Sequence, residues 1–159
     1  MNFASQTGCR SDIALFLPML GVVTFLLATL AMTIPALSQE FSPERDISVQ
    51  DAFTKMQNQT LVMIDVRTEG EWRQSGIASG AVPISMLDPQ FLDKLAEVQA
   101  QNPGKTIAFI CASGRRSTIV QTRLSNMGYK NIYSVYGGTT GSSRSPGWIA
   151  EGLPVTPWP

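Results

Sequence analysis

Hydrophobic and polar positions fall into blocks along the second part of the chain, and these blocks predict strands that alternate with helices. Three short runs are mostly apolar, which is typical of strands covered on both faces of a sheet. They are LVMIDV at 61–66, KTIAFI at 105–110 and NIYSV at 131–135. GAVPIS at 80–85 predicts a further short extended segment.

Four segments between these runs carry the apolar spacing or the terminal signals of helices. They are VQDAFTKMQ after Ser48, TEGEWRQSG ending at Gly76, QFLDKLAEVQAQ after Asp88 and Pro89, and STIVQTRLSNM, which starts at Ser117 and stops at Gly128. The alternation predicts an α/β fold with three layers, in which helices cover both faces of a mostly parallel sheet.

The first 38 residues have a different pattern from the rest of the chain. A polar start is followed by a nearly uncharged apolar run over 13–37, and Ala36 and Ser38 place small residues before Gln39. This layout predicts a secretory signal peptide over 1–38, cleaved before Gln39, and a single domain over 39–159. The alternative is an uncleaved membrane anchor, because the run is long enough to cross a bilayer. Both alternatives place the domain on the exported side, which in a bacterium is the periplasm.

The composition narrows the chemistry that the domain can use. Twelve basic and twelve acidic residues balance, with no basic tail or charge block, so nucleic acid is not expected as a partner. Without the first 38 residues one cysteine remains, Cys111, which excludes an internal disulfide in the exported domain. The chain has no histidine, so neither a histidine-activated nucleophile nor a metal site is expected.

Three polar or glycine-rich segments follow predicted strands directly. They are Asp65-Val66-Arg67, the segment that starts at Cys111, and Gly137-Gly138. The carboxyl ends of parallel strands meet at one edge of a sheet, where ligands usually bind. We therefore expect these three segments to converge on one site.

The segment CASGRRS at 111–117 carries the strongest indication of chemistry. Small residues, a glycine and two arginines precede a helix start, and consecutive backbone amides in such a loop form a nest for an anion. The sequence predicts Cys111 as a nucleophile whose thiolate, or persulfide, is held by this loop. The predicted binding residues are Ala112, Ser113, Gly114, Arg115, Arg116 and Ser117. The simpler alternative is a cysteine that is only packed in the core.

Cysteine phosphatases offer a rival interpretation of the same loop. They place an arginine six residues after the cysteine, and often a histidine before it. Here Ser117 occupies the sixth place, Arg116 comes one residue early, and Ile110 stands before the cysteine. The loop is one residue too short to surround a phosphate in that way, which favours a single sulfur atom as its guest.

Larger parts of the chain resemble the rhodanese homology domain. The similar segments are MIDVRTEGEWRQSGIASGAVPI, FICASGRRS and VYGGTTGSSRSPGWIAEGLPV. The matching residues are Asp65, Arg67 and Glu71, Gly80-Ala81, Cys111, Gly137-Gly138, Trp148 and Gly152-Leu153-Pro154. Two departures stand out: SGIASGA lacks the usual histidine, and the segment TTGSSRSPG at 139–147 is longer than common.

The resemblance implies a rhodanese fold and a thiosulfate sulfurtransferase that works through a persulfide on Cys111, without metal or organic cofactor. Its partners would be a small anionic sulfur donor and a thiol or cyanide acceptor, with a thioredoxin-like protein as a further candidate. Asp65, Arg67 and Glu71 are expected to support the site, with Arg67 pairing Glu71 one helical turn on. The tryptophans Trp72 and Trp148 are interpreted as packing residues. The alternatives are a non-catalytic module that binds a partner or senses sulfur, and a cysteine phosphatase or arsenate reductase.

Overall fold

Strand β5 (Thr106–Ile110) lies at the centre of a sheet of five parallel strands. The computed structural model describes residues 45–159. The other strands of this sheet are β1 (Asp46–Ile47), β2 (Leu61–Asp65), β4 (Val82–Pro83) and β6 (Ile132–Val135). The strand order is β1-β6-β5-β2-β4. The predicted strands at 61–66, 105–110 and 131–135 are confirmed, whereas β1 was missed.

Four helices connect these strands. They are α1 (Val49–Gln57), α2 (Glu69–Ser75), α3 (Phe91–Gln101) and α4 (Arg115–Asn126). The apolar residues of the strands point alternately to the two faces of the sheet, which produces two separate cores. One core joins the sheet to α3 and α4 through Leu95, Val98, Val120 and Leu124. The other joins it to α1 through Val49 and Ala52, which confirms the predicted α/β architecture.

A second, two-stranded sheet pairs β3 (Ile77–Ala78) with β7 (Val155–Thr156) and fixes the end of the chain. Two tryptophans pack beside it, as predicted. Trp148 is fully buried and meets Phe53 edge-on at 5.7 Å between ring centroids. Trp72 meets Trp158 in the same way at 5.3 Å.

Two helices begin at other residues than the sequence predicted. Helix α3 starts at Phe91 and not at Pro89, because the Asp88 carboxylate accepts a hydrogen bond from the Gln90 amide (2.8 Å) in a turn ahead of the helix. Helix α4 starts at Arg115 and not at Ser117. Its N-cap is Gly114, which has φ +93°. A side chain there would be strained, so glycine sets the start of this helix.

The predicted signal peptide or anchor over 1–38 lies outside the described residues. Within 45–159 the structure contains no helix that is both long and apolar enough to span a membrane.

Candidate active site

Cys111 directly follows the central strand β5, and its side chain is 1% exposed. Segments from both neighbouring strands approach it through the backbone. The Val66 amide donates to the Ile110 carbonyl at 2.9 Å, and the Thr139 amide donates to the Cys111 carbonyl at 2.7 Å. A Cβ on Gly138 would lie 2.5 Å from the Cys111 carbonyl oxygen, so only glycine fits there. The predicted convergence of three strand ends is confirmed.

The loop after Cys111 leaves a row of backbone donors available. The Thr118 amide donates to the Gly114 carbonyl at 3.1 Å, which is the first bond of helix α4. Within residues 45–159, the amides of 112–117 donate no hydrogen bond. Three of them belong to the first turn of α4, where the helix dipole adds positive potential. Six unsatisfied donors beside a thiol form a site that can stabilise an anionic sulfur.

Arg116 is the cation of this site, and it is held by Glu71 of helix α2. The guanidinium contacts both carboxylate oxygens, with 2.8 Å between Nη1 and Oε2. The Arg116 guanidinium lowers the pKa of Glu71 to about 2. Glu71, and to a smaller extent the adjoining Cys111, raise the pKa of Arg116. The predicted pairing of Arg67 with the Glu71 carboxylate is therefore wrong.

Arg67 instead turns back to Asp65 in a buried ion pair. Its Nε and Nη2 donate to the Asp65 carboxylate at 3.0 and 2.7 Å. The remaining donors bind the end of α2, at Ser75 Oγ (2.7 Å) and the Gly76 carbonyl (2.6 Å). This network fastens α2 to the end of β2. Since α2 carries Glu71, the buried pair positions the residue that holds Arg116.

A hydroxyl cluster lies under the loop, and sequence reasoning found only one of its members. Ser117 Oγ is 3.6 Å from Cys111 Sγ and 3.0 Å from the Oγ of Ser134 on β6. Ser134 Oγ is also 3.1 Å from Thr118 Oγ1. Ser134 faces α4 because it pairs in register with Phe109 of β5. A serine inside an otherwise apolar strand was the only sequence signal for it.

A groove of about 600 Å³ borders the loop on the side of β6. One wall consists of Ser113, Gly114, Arg115 and Thr118, and the other of Tyr136, Gly137 and the segment 142–145. Residues 142–145 of the second wall belong to the long segment 139–147 that the sequence singled out. The Thr140 amide and hydroxyl tie this segment to the Ala112 carbonyl at 2.8 and 3.0 Å. The structure thus gives this segment a place beside the loop.

The six predicted binding residues all lie in the loop or the first turn of α4, but they differ in surroundings. Arg115 faces the groove, Arg116 faces Glu71, and Ser117 is buried under the loop. In the part of the chain from 45 onward, no three His, Cys, Asp or Glu side chains come together as metal ligands could.

Comparison with known proteins identifies a family, a relative and similar solved structures. The family model of the rhodanese-like domain matches residues 48–144. An uncharacterized protein of Rickettsia prowazekii is 33% identical over 103 residues, which covers 61% of this chain and 84% of that protein.

Two solved structures show the same fold. One is the polysulfide-sulfur transferase homodimer of Wolinella succinogenes (24% identity, TM-score 0.52, 71% of this chain and 78% of that chain). The other is a protein of unknown function from Rhodopseudomonas palustris, described as a possible tyrosine phosphatase (19% identity, TM-score 0.54, 97% of this chain and 100% of that chain).

Proposed function

This chain belongs to the rhodanese-like domain family, and we propose that it is a sulfurtransferase that carries sulfane sulfur as a persulfide on Cys111. The observation that carries the proposal is the set of six backbone amides at 112–117 that directly follow the Cys111 thiol and donate no hydrogen bond within residues 45–159. A persulfide ends in an anionic sulfur, and such a cradle stabilises an anion of that size.

The reaction has two displacement steps. In the first, the Cys111 thiolate attacks the outer sulfur of thiosulfate or a similar donor. A bond forms between the two sulfurs, the sulfur–sulfur bond of the donor breaks, and sulfite leaves with the bonding electrons. In the second, a thiol or cyanide attacks the outer persulfide sulfur, and Cys111 leaves as the thiolate. No external oxidant or reductant is consumed.

The surrounding residues have different roles in these two steps. The loop amides hold the negative charge of the persulfide, and Arg116 provides the fixed positive charge that attracts an anionic donor. Ser117 brings a hydroxyl near the sulfur. Asp65, Arg67 and Glu71 act as positioning residues, because they reach the site only through α2 and Arg116.

A phosphatase or arsenate reductase is disfavoured by the loop and not by the fold. The two solved structures named above carry different descriptions on one fold, so the fold does not choose between the chemistries. In a phosphatase, an arginine six residues after the cysteine grips the oxyanion. Ser117 occupies that place here and is fully buried, and Arg116 comes one residue too early.

A non-catalytic module that binds a partner or senses sulfur is the other alternative. A domain that served only as a docking surface would need neither a cysteine at this point nor unsatisfied amides around it. The presence of both supports a domain that binds sulfur covalently, and removal of that sulfur by a small thiol separates turnover from sensing.

The location of the protein belongs to the same proposal. The pattern over 1–38 supports export, with the domain in the periplasm or held at the membrane on the exported side. A sulfur acceptor there would be a small thiol or a thioredoxin-like protein. Mass analysis of the protein from its native host decides whether the chain starts at Gln39 or keeps its apolar segment.

Intact-mass analysis of the full chain after incubation with thiosulfate tests the activity. The expected result is a gain of one sulfur atom that a small thiol removes. Cys111→Ser should show no gain, whereas Cys9→Ser, the matched control at the other cysteine, should show the same gain as the unaltered chain. Absence of the gain would overturn the proposal, and hydrolysis of p-nitrophenyl phosphate that depends on Cys111 would then favour the phosphatase.

A further inference from the structure

We propose that the groove between the loop and the segment 142–145 binds a small thiol that carries two carboxylates, and that this thiol is the sulfur acceptor. This inference rests on the proposed function for its catalytic role, while the binding preference stands on the groove itself. The segment 142–145 is then the part of the chain that selects the acceptor.

The charges of the groove support an acidic ligand. Arg115 stands in one wall and Arg144 in the other, and none of the residues that line the groove is acidic. The four ion pairs within residues 45–159 involve other cations, and neither of these two guanidinium groups makes a hydrogen bond there. Two unpaired cations on opposite walls match a ligand with two separated anionic groups.

The size and the remaining lining residues narrow the ligand further. A volume of about 600 Å³ is far more than thiosulfate or cyanide needs and is in the range of pockets for molecules of peptide or drug size. Hydroxyl groups supply further polar contacts around the arginines. They belong to Ser113, Thr118, Ser142, Ser143 and Ser145. A small peptide thiol uses this combination, because it offers amides, two carboxylates and a reactive sulfur in one molecule.

The wall is preformed, which lowers the cost of binding. A Cβ on Gly147 would lie 2.2 Å from the Gly141 amide nitrogen, and a Cβ on Gly137 would lie 2.4 Å from the Pro146 carbonyl oxygen. The Ser142 amide donates to the Ser145 carbonyl at 2.9 Å. The turn that presents Arg144 is therefore folded tightly on itself.

The groove lies directly beside the loop that holds the persulfide in the proposed reaction. It shares Ser113 and Gly114 with the loop that starts at Cys111. A thiolate bound there attacks the outer sulfur of the persulfide. The new bond joins the acceptor sulfur to the outer sulfur of the persulfide, the bond between that outer sulfur and Cys111 Sγ breaks, and Cys111 regains its thiolate. The acceptor leaves as its own persulfide, so sulfur and electrons balance.

Binding is tested without turnover, by isothermal titration of the full chain with S-methylglutathione and with the diethyl ester of the same compound. The S-methyl group blocks transfer, and the ester removes both charges. We expect the dicarboxylate to bind about tenfold or more tightly than the ester, and the difference to shrink at high salt. Arg144→Gln should weaken binding of the dicarboxylate by about 3- to 10-fold, and Arg144→Glu by more.

The matched control is Arg123→Gln, which removes an exposed arginine in the last turn of α4, away from the groove. It should leave both affinities unchanged. Equal binding of the acid and the ester, or equal loss in Arg144→Gln and Arg123→Gln, would overturn the inference.

A second measurement separates this inference from the proposed function. Transfer from preformed Cys111 persulfide is followed with glutathione and with 2-mercaptoethanol as acceptors, and Arg144→Glu should slow the first reaction far more than the second. If persulfide forms and both acceptors are slowed equally, the inference is wrong and the function stands. If no persulfide forms, the proposed function is wrong, while the titration still decides what the groove binds.

Discussion

The Asp65–Arg67 pair and the Glu71–Arg116 pair lie at the same edge of the sheet, but only the second reaches the surface. The side chains of Arg67 and Asp65 are 1% and 0% exposed, whereas those of Arg116 and Glu71 are 33% and 30% exposed. Every nitrogen of the Arg67 guanidinium is bound within the fold. Arg116 binds one carboxylate and keeps part of its surface toward solvent and Cys111.

The difference shows how the same two residue types serve two purposes. A charge without water must be paired completely, since removing one partner leaves the other buried and uncompensated. A pair that keeps water contact is weaker, and its cation remains able to attract a further anion. Burial, and not residue type, therefore distinguishes Arg67, which only supports the structure of the site, from Arg116, which remains able to contact an anion.

The largest effect is expected from breaking the buried pair. Arg67→Met leaves the Asp65 carboxylate without a cation, so we expect a loss of about 3–5 kcal/mol in the free energy of unfolding. Denaturant titration measures it. The matched control is Arg73→Met on the same helix, which breaks the exposed pair with Glu69 and should cost below about 1 kcal/mol. Equal costs for the two variants would contradict the structural role of Arg67.

An intermediate effect is expected at the exposed pair, and on activity more than on stability. Arg116→Ala should lower kcat/KM for thiosulfate about 10- to 100-fold, since a charge-assisted contact to an anion contributes about 1.5–3 kcal/mol. Arg116→Lys keeps the positive charge but loses the bidentate geometry of the guanidinium. Its kcat/KM should lie between those of the unaltered chain and Arg116→Ala. A folded Arg116→Ala protein with unchanged kinetics would show that Arg116 serves only to bind Glu71.

The smallest effect is expected in the pH dependence of the free energy of unfolding that the exposed Glu71–Arg116 pair contributes. Arg116 lowers the pKa of Glu71 from 4.5 to about 2, so the folded state holds this carboxylate ionised where the unfolded chain protonates it. The resulting stability is present above the unfolded pKa and is lost as the pH falls through the folded value. Because the pair is one-third exposed, we expect only about 1 kcal/mol.

Unfolding of the chain and of Glu71→Gln should therefore differ by about that amount at about pH 6, and by progressively less toward about pH 2. Glu69→Gln, which makes the same charge change on the outer side of α2, serves as the control. A difference between the chain and Glu71→Gln that stays constant with pH would show that ionisation of Glu71 does not stabilise the fold.

The strands were predicted well because their signal is local. Runs such as TIAFI can only be buried, and their order along the chain implied a parallel sheet. The start of α4 was missed because it depends on one backbone angle. Gly114 adopts φ +93° close to the backbone of 135–137, and that contact fixes the helix start two residues before Ser117, where the sequence placed it.

Only the part of the site that forms one continuous segment could be predicted from the sequence. Cys111 and the residues around it form one continuous segment, so the spacing alone exposed them. The partner of Arg116 lies 45 residues away in sequence, and the i,i+4 spacing pointed instead to Arg67 and Glu71. Ser134 and Arg144 come near the loop only through the strand order and the fold of 139–147, which no local pattern encodes.

The segment 139–147 is held at its base by two backbone hydrogen bonds, and its tip is a tight turn. The Trp148 amide donates to the Gly138 carbonyl at 2.8 Å, and the Ile149 amide to the Thr139 carbonyl at 3.1 Å. Both ends are thus fixed beside Cys111, while residues 142–145 make no backbone hydrogen bond to the sheet in the described part of the chain. For evolution or engineering, residues 142–145 are an exchangeable part of the domain. Its length and charge can change without disturbing the central strand, so variants of this fold can bind different ligands while Cys111 and its loop stay unchanged.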